Sequence, residues 1–349
     1  MSGVISRAMG VLLCAVWIAA LAVPNAFAQT SHEAELYAAA KKEGQLTWYT
    51  GHYDQQVTTR IANAFTEKYP GVRANAIKTT SQVAFQRLLQ DLQAGSVQAD
   101  VFSSTDASHY LFLKEKGYLE KYIPENASKI VKAFQGIDPD GYYHVTGVSL
   151  VGITYNKDKV KESDAPKNWT DLLDPKWTNQ VAVGSPNYSG MVGVWAVLMS
   201  KLYGWDFFAK LKAVKPLIGR SIDDSVTILN SGERQVAAAD PATTLRSAAK
   251  GNPLGVIYPT DGALAVVEPS GIIKGTRSPN AAKLFMEFLL SPESYRVLAE
   301  NFEQSLRSEV PSPPGAKSLN DVKVQILTVD EVSKGIPVAK EKWRDTFGM

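Results

Sequence analysis

The chain has 349 residues, 45% of them hydrophobic, enough to bury a large core in more than one domain. Its formal net charge is only +2, and no basic stripe interleaved with aromatics appears, so neither feature implies a nucleic-acid partner. The single cysteine, Cys14, rules out an internal disulfide framework.

The first expected element is a leader. Arg7 gives a short positive region, Met9 to Val23 an apolar run, and Asn25-Ala26-Phe27-Ala28 ends in the small-x-small pattern of a signal-peptidase site. This predicts export with cleavage after Ala28, and the run stops at Pro24, short of a spanning helix. No small residue precedes Cys14 (Leu12-Leu13-Cys14), so lipidation is not expected.

Beyond the leader the pattern is strand then helix, repeated. A short polar helix is predicted over 33–43 and a strand over 45–49. An amphipathic helix follows over 55–68, with Val57, Ile61, Ala64 and Phe65 at helical spacing. The Pro70-Gly71 turn leads to a strand over 72–77, then a helix over 83–94 stopped by Gly95. A third strand, 99–102, runs into Ser103-Ser104-Thr105-Asp106. This βαβαβ order implies a parallel sheet whose ligand crevice lies outside the carboxyl ends of its strands.

The β-rich stretch from Tyr143 to Tyr155, with the run HVTGVSLVGITYN at 144–156, is too long for one buried strand and is read as a crossing between two lobes. A second αβ region follows. It holds Trp169 to Leu173, the Asp174-Pro175-Lys176-Trp177 turn, a strand over 181–183, a helix over about 190–202, and strands over 235–239 and 254–258, the last returning to the first lobe. Helices are predicted over 280–290 and 293–302, and the loop Pro311-Ser312-Pro313-Pro314-Gly315 precedes the final helical segments.

Several segments, in order, carry a resemblance: Gly44-Gln45-Leu46-Thr47-Trp48-Tyr49-Thr50, Ala94-Gly95 followed by Ala99-Asp100-Val101, Tyr155-Asn156-Lys157-Asp158-Lys159-Val160, Pro166-Lys167-Asn168-Trp169-Thr170-Asp171-Leu172-Leu173 and Ser278-Pro279-Asn280-Ala281-Ala282-Lys283-Leu284-Phe285. With them the chain resembles the extracellular solute-binding proteins of ATP-binding-cassette importers, in the ferric-iron-type subgroup of periplasmic binding proteins. The resemblance implies an α/β fold of type II, two lobes each with a mainly parallel sheet flanked by helices, joined by crossing hinge strands. The expected division is a leader at 1–28, a first lobe of 29–147 plus 257–300, and a second of 148–256 plus 301–349. A periplasmic monomer without cofactor is implied. It would close on one small solute and dock on an inner-membrane permease with its cytoplasmic ATPase.

Three loops at predicted strand ends are expected to meet at the cleft. They contribute Thr50, His52 and Tyr53 from the first, Ser104, Thr105 and Asp106 from the second, and Ser185, Tyr188, Ser189 and Gly190 from the third. Ser149 in the crossing run and Asp240 after the 235–239 strand complete the candidate set. Hydroxyls ahead of helices suit an anion, and they equally suit plain helix capping. Ferric binders of the resembled family carry adjacent tyrosines near 235–239. Here 237–246 reads AAADPATTLR, with no tyrosine.

A small organic anion (a phosphate ester, phosphonate or carboxylate) is therefore the expected solute, with no metal site. Ferric iron with a synergistic anion is the alternative. The Tyr142-Tyr143 pair, His109 and Tyr110 are assigned to packing, and His32 and His144 fall at no metal spacing. A secreted enzyme is the reading from another class, but no G-x-S-x-G elbow, H-E-x-x-H helix or P-loop is present. Asp223-Asp224 reads as a solvated turn.

Overall fold

A computed structural model of the chain describes residues 31–349; the expected leader lies outside the described residues. The strands are β1 (Gln45–Thr50), β2 (Arg73–Lys78), β3 (Val101–Ser103), β4 (Leu119–Glu120), β5 (His144–Asn156), β6 (Val181–Val183), β7 (Leu217–Ile218), β8 (Val236–Ala239), β9 (Leu254–Ile257), β10 (Ala263–Ile273) and β11 (Val324–Ile326). They run in the order β2-β1-β3-β10-β5-β8-β6-β7. β1 is parallel to β2 and β3, and β6 is parallel to β7 and β8. Between these two parallel patches lie β10 and β5, antiparallel to each other and to the strands they join.

β5 is the crossing. Residues 144–151 pair with β10, and from Gly152 the same strand pairs with β8 and then β9. The crossing, expected from Tyr143 to Tyr155, is one thirteen-residue strand, His144–Asn156. The returning partner is longer than expected, because β10 continues from β9 through the turn at 258–262.

Each parallel patch has its own core. In the first, helix Pro279–Leu289 lays Ala281, Ala282, Phe285 and Phe288 against Trp48 and Phe65. Pro279 suits the first helical turn, and Glu43 accepts the N–H groups of Asn280 and Ala281 at 3.2 and 2.8 Å, placing negative charge at the positive helix end. In the second, Trp169, Trp195, Phe208 and Trp343 pack edge to face, with Trp343 supplied by the C-terminal helix Val329–Phe347.

Two segments pack in the first core beyond the expected limits of the first lobe. Val148 and Leu150 still belong to the first core, because β5 leaves β10 only after Val151. Leu306, Val310, Leu319 and Val322 also fill the first core, so the second lobe regains the chain only near β11. No described helix is long and apolar enough to cross a membrane.

Candidate functional site

The floor of the site is the β5–β10 ladder. Glu268 stands opposite Gly147, and Val266 opposite Ser149. Between Glu268 and Pro269 the register shifts, leaving Thr146 as an extra residue on β5. Pro269 cannot donate to the ladder, and a bulge beside it is the usual accommodation. The Thr146 carbonyl is taken instead by the Tyr295 hydroxyl at 2.9 Å. A chain of hydroxyls then crosses four strands. Trp48 Nε1 donates to Ser103 Oγ (2.8 Å), Ser103 Oγ meets Ser270 Oγ (2.6 Å), and Ser270 Oγ meets Thr146 Oγ1 (2.6 Å). Such a satisfied buried network holds the floor rigid.

Glu268 is 3% exposed. Ser149 Oγ donates to its Oε1 at 2.6 Å, while Oε2 is buried without a partner. A Cβ at position 147 would fall on the Tyr53 hydroxyl and 2.6 Å from Oε2, so glycine is what admits both side chains over the floor. Burial, aided by the charges of Glu303 and Asp240, pushes the Glu268 carboxyl up to about 8, against the pull of the Ser149 bond and Lys78. The Tyr53 phenol is likewise held well above its ordinary value by burial and then by Glu268.

The first two loops are built inward. Gly51 donates its N–H to Ser103 O at 2.8 Å, and a Cβ there would lie 2.6 Å from Ser81 Cα, so the two loops lock through a glycine. Thr50 Oγ1 accepts the His52 N–H at 3.0 Å. His52 is 1% exposed, its ring edge-on to Tyr53 and its pKa lowered to about 4 by burial. Ser104 Oγ meets His109 Nδ1 at 2.9 Å and accepts the Asp106 N–H at 3.0 Å. The His109 ring stacks on Phe85 at 3.9 Å.

On the far side, Ser185 Oγ accepts the Asn187 N–H. Ser189 caps helix Gly190–Tyr203 through the Val192 N–H at 3.4 Å. Tyr188 is 66% exposed, with the Arg220 guanidinium over its ring. Asp240 caps helix Pro241–Ala249.

Of the expected residues, then, Thr105, Asp106 and Gly190 come together around one cavity of about 450 Å³ between the lobes, with Glu268 beside them, and Ser149 holds Glu268 from below. Thr50, His52, Ser104 and Ser185, also expected at the cleft, do not line this cavity. All four are buried; the Thr50, Ser104 and Ser185 hydroxyls bond neighbouring loop groups, and His52 Nε2 is buried without a partner. Ser189 is a cap, Tyr188 faces outward, and Asp240 joins a different cluster with Glu303, Asp223 and Arg246. Asp223-Asp224 is no solvated turn either, since Asp224 closes a capping box with Ser221 and Asp223 accepts from Thr243 Oγ1 at 2.7 Å.

Sequence reasoning missed Glu268. The available signal was one carboxylate inside the apolar run ALAVVEPSGII. Among the described residues, no three His, Cys, Asp or Glu side chains are grouped to hold a metal ion.

The family model of bacterial extracellular solute-binding proteins matches residues 97–333. The chain belongs to that family. A protein of Salmonella typhimurium named as a 2-aminoethylphosphonate-binding periplasmic protein is 24% identical over 279 residues, 77% of each chain. Iron-bound HitA from Pseudomonas aeruginosa superposes with a TM-score of 0.71 at 22% identity, covering 86% of this chain and 99% of that one. AfuA from Actinobacillus pleuropneumoniae, with fructose-6-phosphate bound, gives 0.69 at 23% identity, covering 88% and 99%. This solute-binding protein has the two-lobed type II periplasmic binding fold.

Proposed function

We propose that this receptor captures a small organic anion between its lobes by hinge closure about β5 and β9–β10, then presents it unchanged to a membrane permease coupled to a cytoplasmic ATPase. It acts as a monomer, exported with its leader cut after Ala28. The observation that carries the reading is an interlobe cavity lined by Thr105 and Ser108 of one lobe and Gly190 of the other. Gly190 opens a fourteen-residue helix, whose first N–H groups have no intrahelical acceptors and whose dipole favours negative charge. The phosphonate named for the Salmonella relative and the sugar phosphate bound by AfuA are of this class. Region 237–246 lacks the tyrosine pair expected of a ferric site.

A thermal-shift panel tests this. A ligand present at 100 times its Kd stabilises by about 2.7 kcal/mol, a rise of several degrees. Among 2-aminoethylphosphonate, fructose-6-phosphate, citrate, inorganic phosphate and ferric citrate, a phosphonate, phosphate ester or carboxylate is expected to raise the melting temperature and be recovered intact. A shift with ferric citrate alone, with visible colour, would replace this reading by iron transport.

A further inference from the structure

Resting on the anion reading above, we infer that the solute also carries a cationic nitrogen, an ammonium group that seats on the free oxygen of Glu268, so that the receptor selects an ammonium-bearing organic anion. Glu268 lines the same cavity as Gly190 and Thr105. Its orientation is fixed by Ser149 on Oε1, and Oε2 has no partner in the fold.

A buried carboxylate oxygen left unsatisfied costs stability; glutamine or leucine would fill the volume at less cost. Among the described residues the one cation whose charge acts on it, Lys78, makes no hydrogen bond to Oε2. Lys78 Nζ is engaged with the carbonyls of Thr79 (2.8 Å) and Gly51 (3.3 Å), and Arg246 with Glu303 (2.6 Å) and the Asn301 carbonyl (3.0 Å). The other ionisable groups that act on Glu268 and its neighbour Tyr53 are Asp240, Glu303 and Tyr295, and none of these supplies a positive charge.

The cavity wall repeats the asymmetry. It includes the carboxylates of Glu268 and Asp106 and no lysine or arginine. Asp106 already holds the start of helix Ser108–Glu115, accepting the Ser108 N–H at 3.0 Å and its hydroxyl at 2.5 Å. That leaves Gly190 as the helix start open to an anion. A purely anionic solute would leave Glu268 in its neutral form and lie against the Asp106 carboxylate without a compensating cation. A solute with an ammonium at its other end supplies the missing positive charge and up to three donors to Oε2.

The closing experiment is titration calorimetry of the full mature chain and of Glu268→Gln against matched probes: 2-aminoethylphosphonate with ethylphosphonate, β-alanine with propanoate, and ethanolamine alone. The wild type is expected to prefer the amine-bearing member of a pair by at least about 30-fold, and Glu268→Gln to lose that preference. At pH 7 the wild type is also expected to release close to one proton on binding the amine. The release is read from buffers of different ionisation enthalpy and should be absent in the variant.

Equal affinity for both members of each pair, or equal weakening of both by Glu268→Gln, overturns the ammonium subsite and leaves the anion reading intact. Binding of ethanolamine that Glu268→Gln abolishes, with no anion bound, keeps the subsite and removes the anion reading. No binding of any probe overturns both. The melting temperature of Glu268→Gln should equal or exceed that of the wild type; a lower one assigns Glu268 to the scaffold and overturns the inference.

Discussion

Arg246→Ala is expected to lower stability by about 2–4 kcal/mol, and by more at pH 8 than at pH 5. The guanidinium sits on helix Pro241–Ala249 and binds Glu303 Oε1 (2.6 Å), the Asn301 carbonyl (3.0 Å) and Thr243 Oγ1 (3.0 Å). Asp240 and Asp223 lie close enough for their charges to act on it, so one cation holds three carboxylates where the second-lobe helix meets the chain leaving the first core. Breaking a buried pair by removing one partner costs roughly 3–5 kcal/mol; the Arg246 side chain is 32% exposed, which moves the expectation toward smaller values.

The pH dependence follows from linkage. Burial, then Glu303 and Asp223, push the Asp240 carboxyl up to about 7. Folded Asp240 therefore binds its proton more tightly than the unfolded chain does, and stability falls as pH rises from the ordinary carboxyl value of 3.8 toward 7. Removing Arg246 enlarges that loss once Asp240 and Glu303 are ionised, and matters less when Asp240 is neutral at pH 5. Urea unfolding of both proteins at the two pH values checks this, and an equal loss at both would contradict the clustered-carboxylate account.

Phe285→Ala is expected to cost about 3–5 kcal/mol, the range for emptying a buried aromatic site, while solute affinity of the folded protein stays at the wild-type level. The ring is fully buried, 5.0 Å from Phe65 and 5.2 Å from Trp48 between ring centroids. Trp48 reaches the floor through its Nε1 bond to Ser103 and the β1–β3 ladder, and none of Phe285, Phe65 and Trp48 lines the cavity. Denaturant unfolding with calorimetry on the same samples separates scaffold from site. A change under about 1 kcal/mol would mean that the first core repacks far more easily than close-packed interiors do.

Most of the framework was legible because hydrophobic period and turn residues agree locally. Helix Gln55–Lys68 coincides with the expected 55–68, with Asp54 as its cap, and the thirteen-residue β-rich run became β5 because nothing but a crossing strand can bury that length. β10 was not legible. Glu268 and Pro269 interrupt its apolar alternation, and only the β5 partner, with its bulge at Thr146, explains how the strand tolerates both. Helices Asp206–Ala213 and Ile222–Asn230 were also passed over, although Ser221 and Asp224 carry a capping-box spacing.

The site divided along the same lines. Hydroxyls at helix starts include Thr105 and Ser108 at the cavity, yet composition cannot distinguish a hydroxyl offered to a solute from one closing its own loop. At Ser104, Ser185 and Ser189 the loop takes it. What the loops could not announce was the carboxylate between them, since its role depends on Gly147 and Ser149, more than a hundred residues earlier in the chain and adjacent only once β5 and β10 pair.

The most direct test of the central claim is mass spectrometry of the small molecule that stays with the protein when it is purified from its native compartment under non-denaturing conditions. The account predicts one organic molecule per chain, bearing a phosphonate, phosphate or carboxylate at one end and a basic nitrogen at the other, and no visible absorbance. A stoichiometric ferric ion, or an anion with no basic nitrogen, would contradict it.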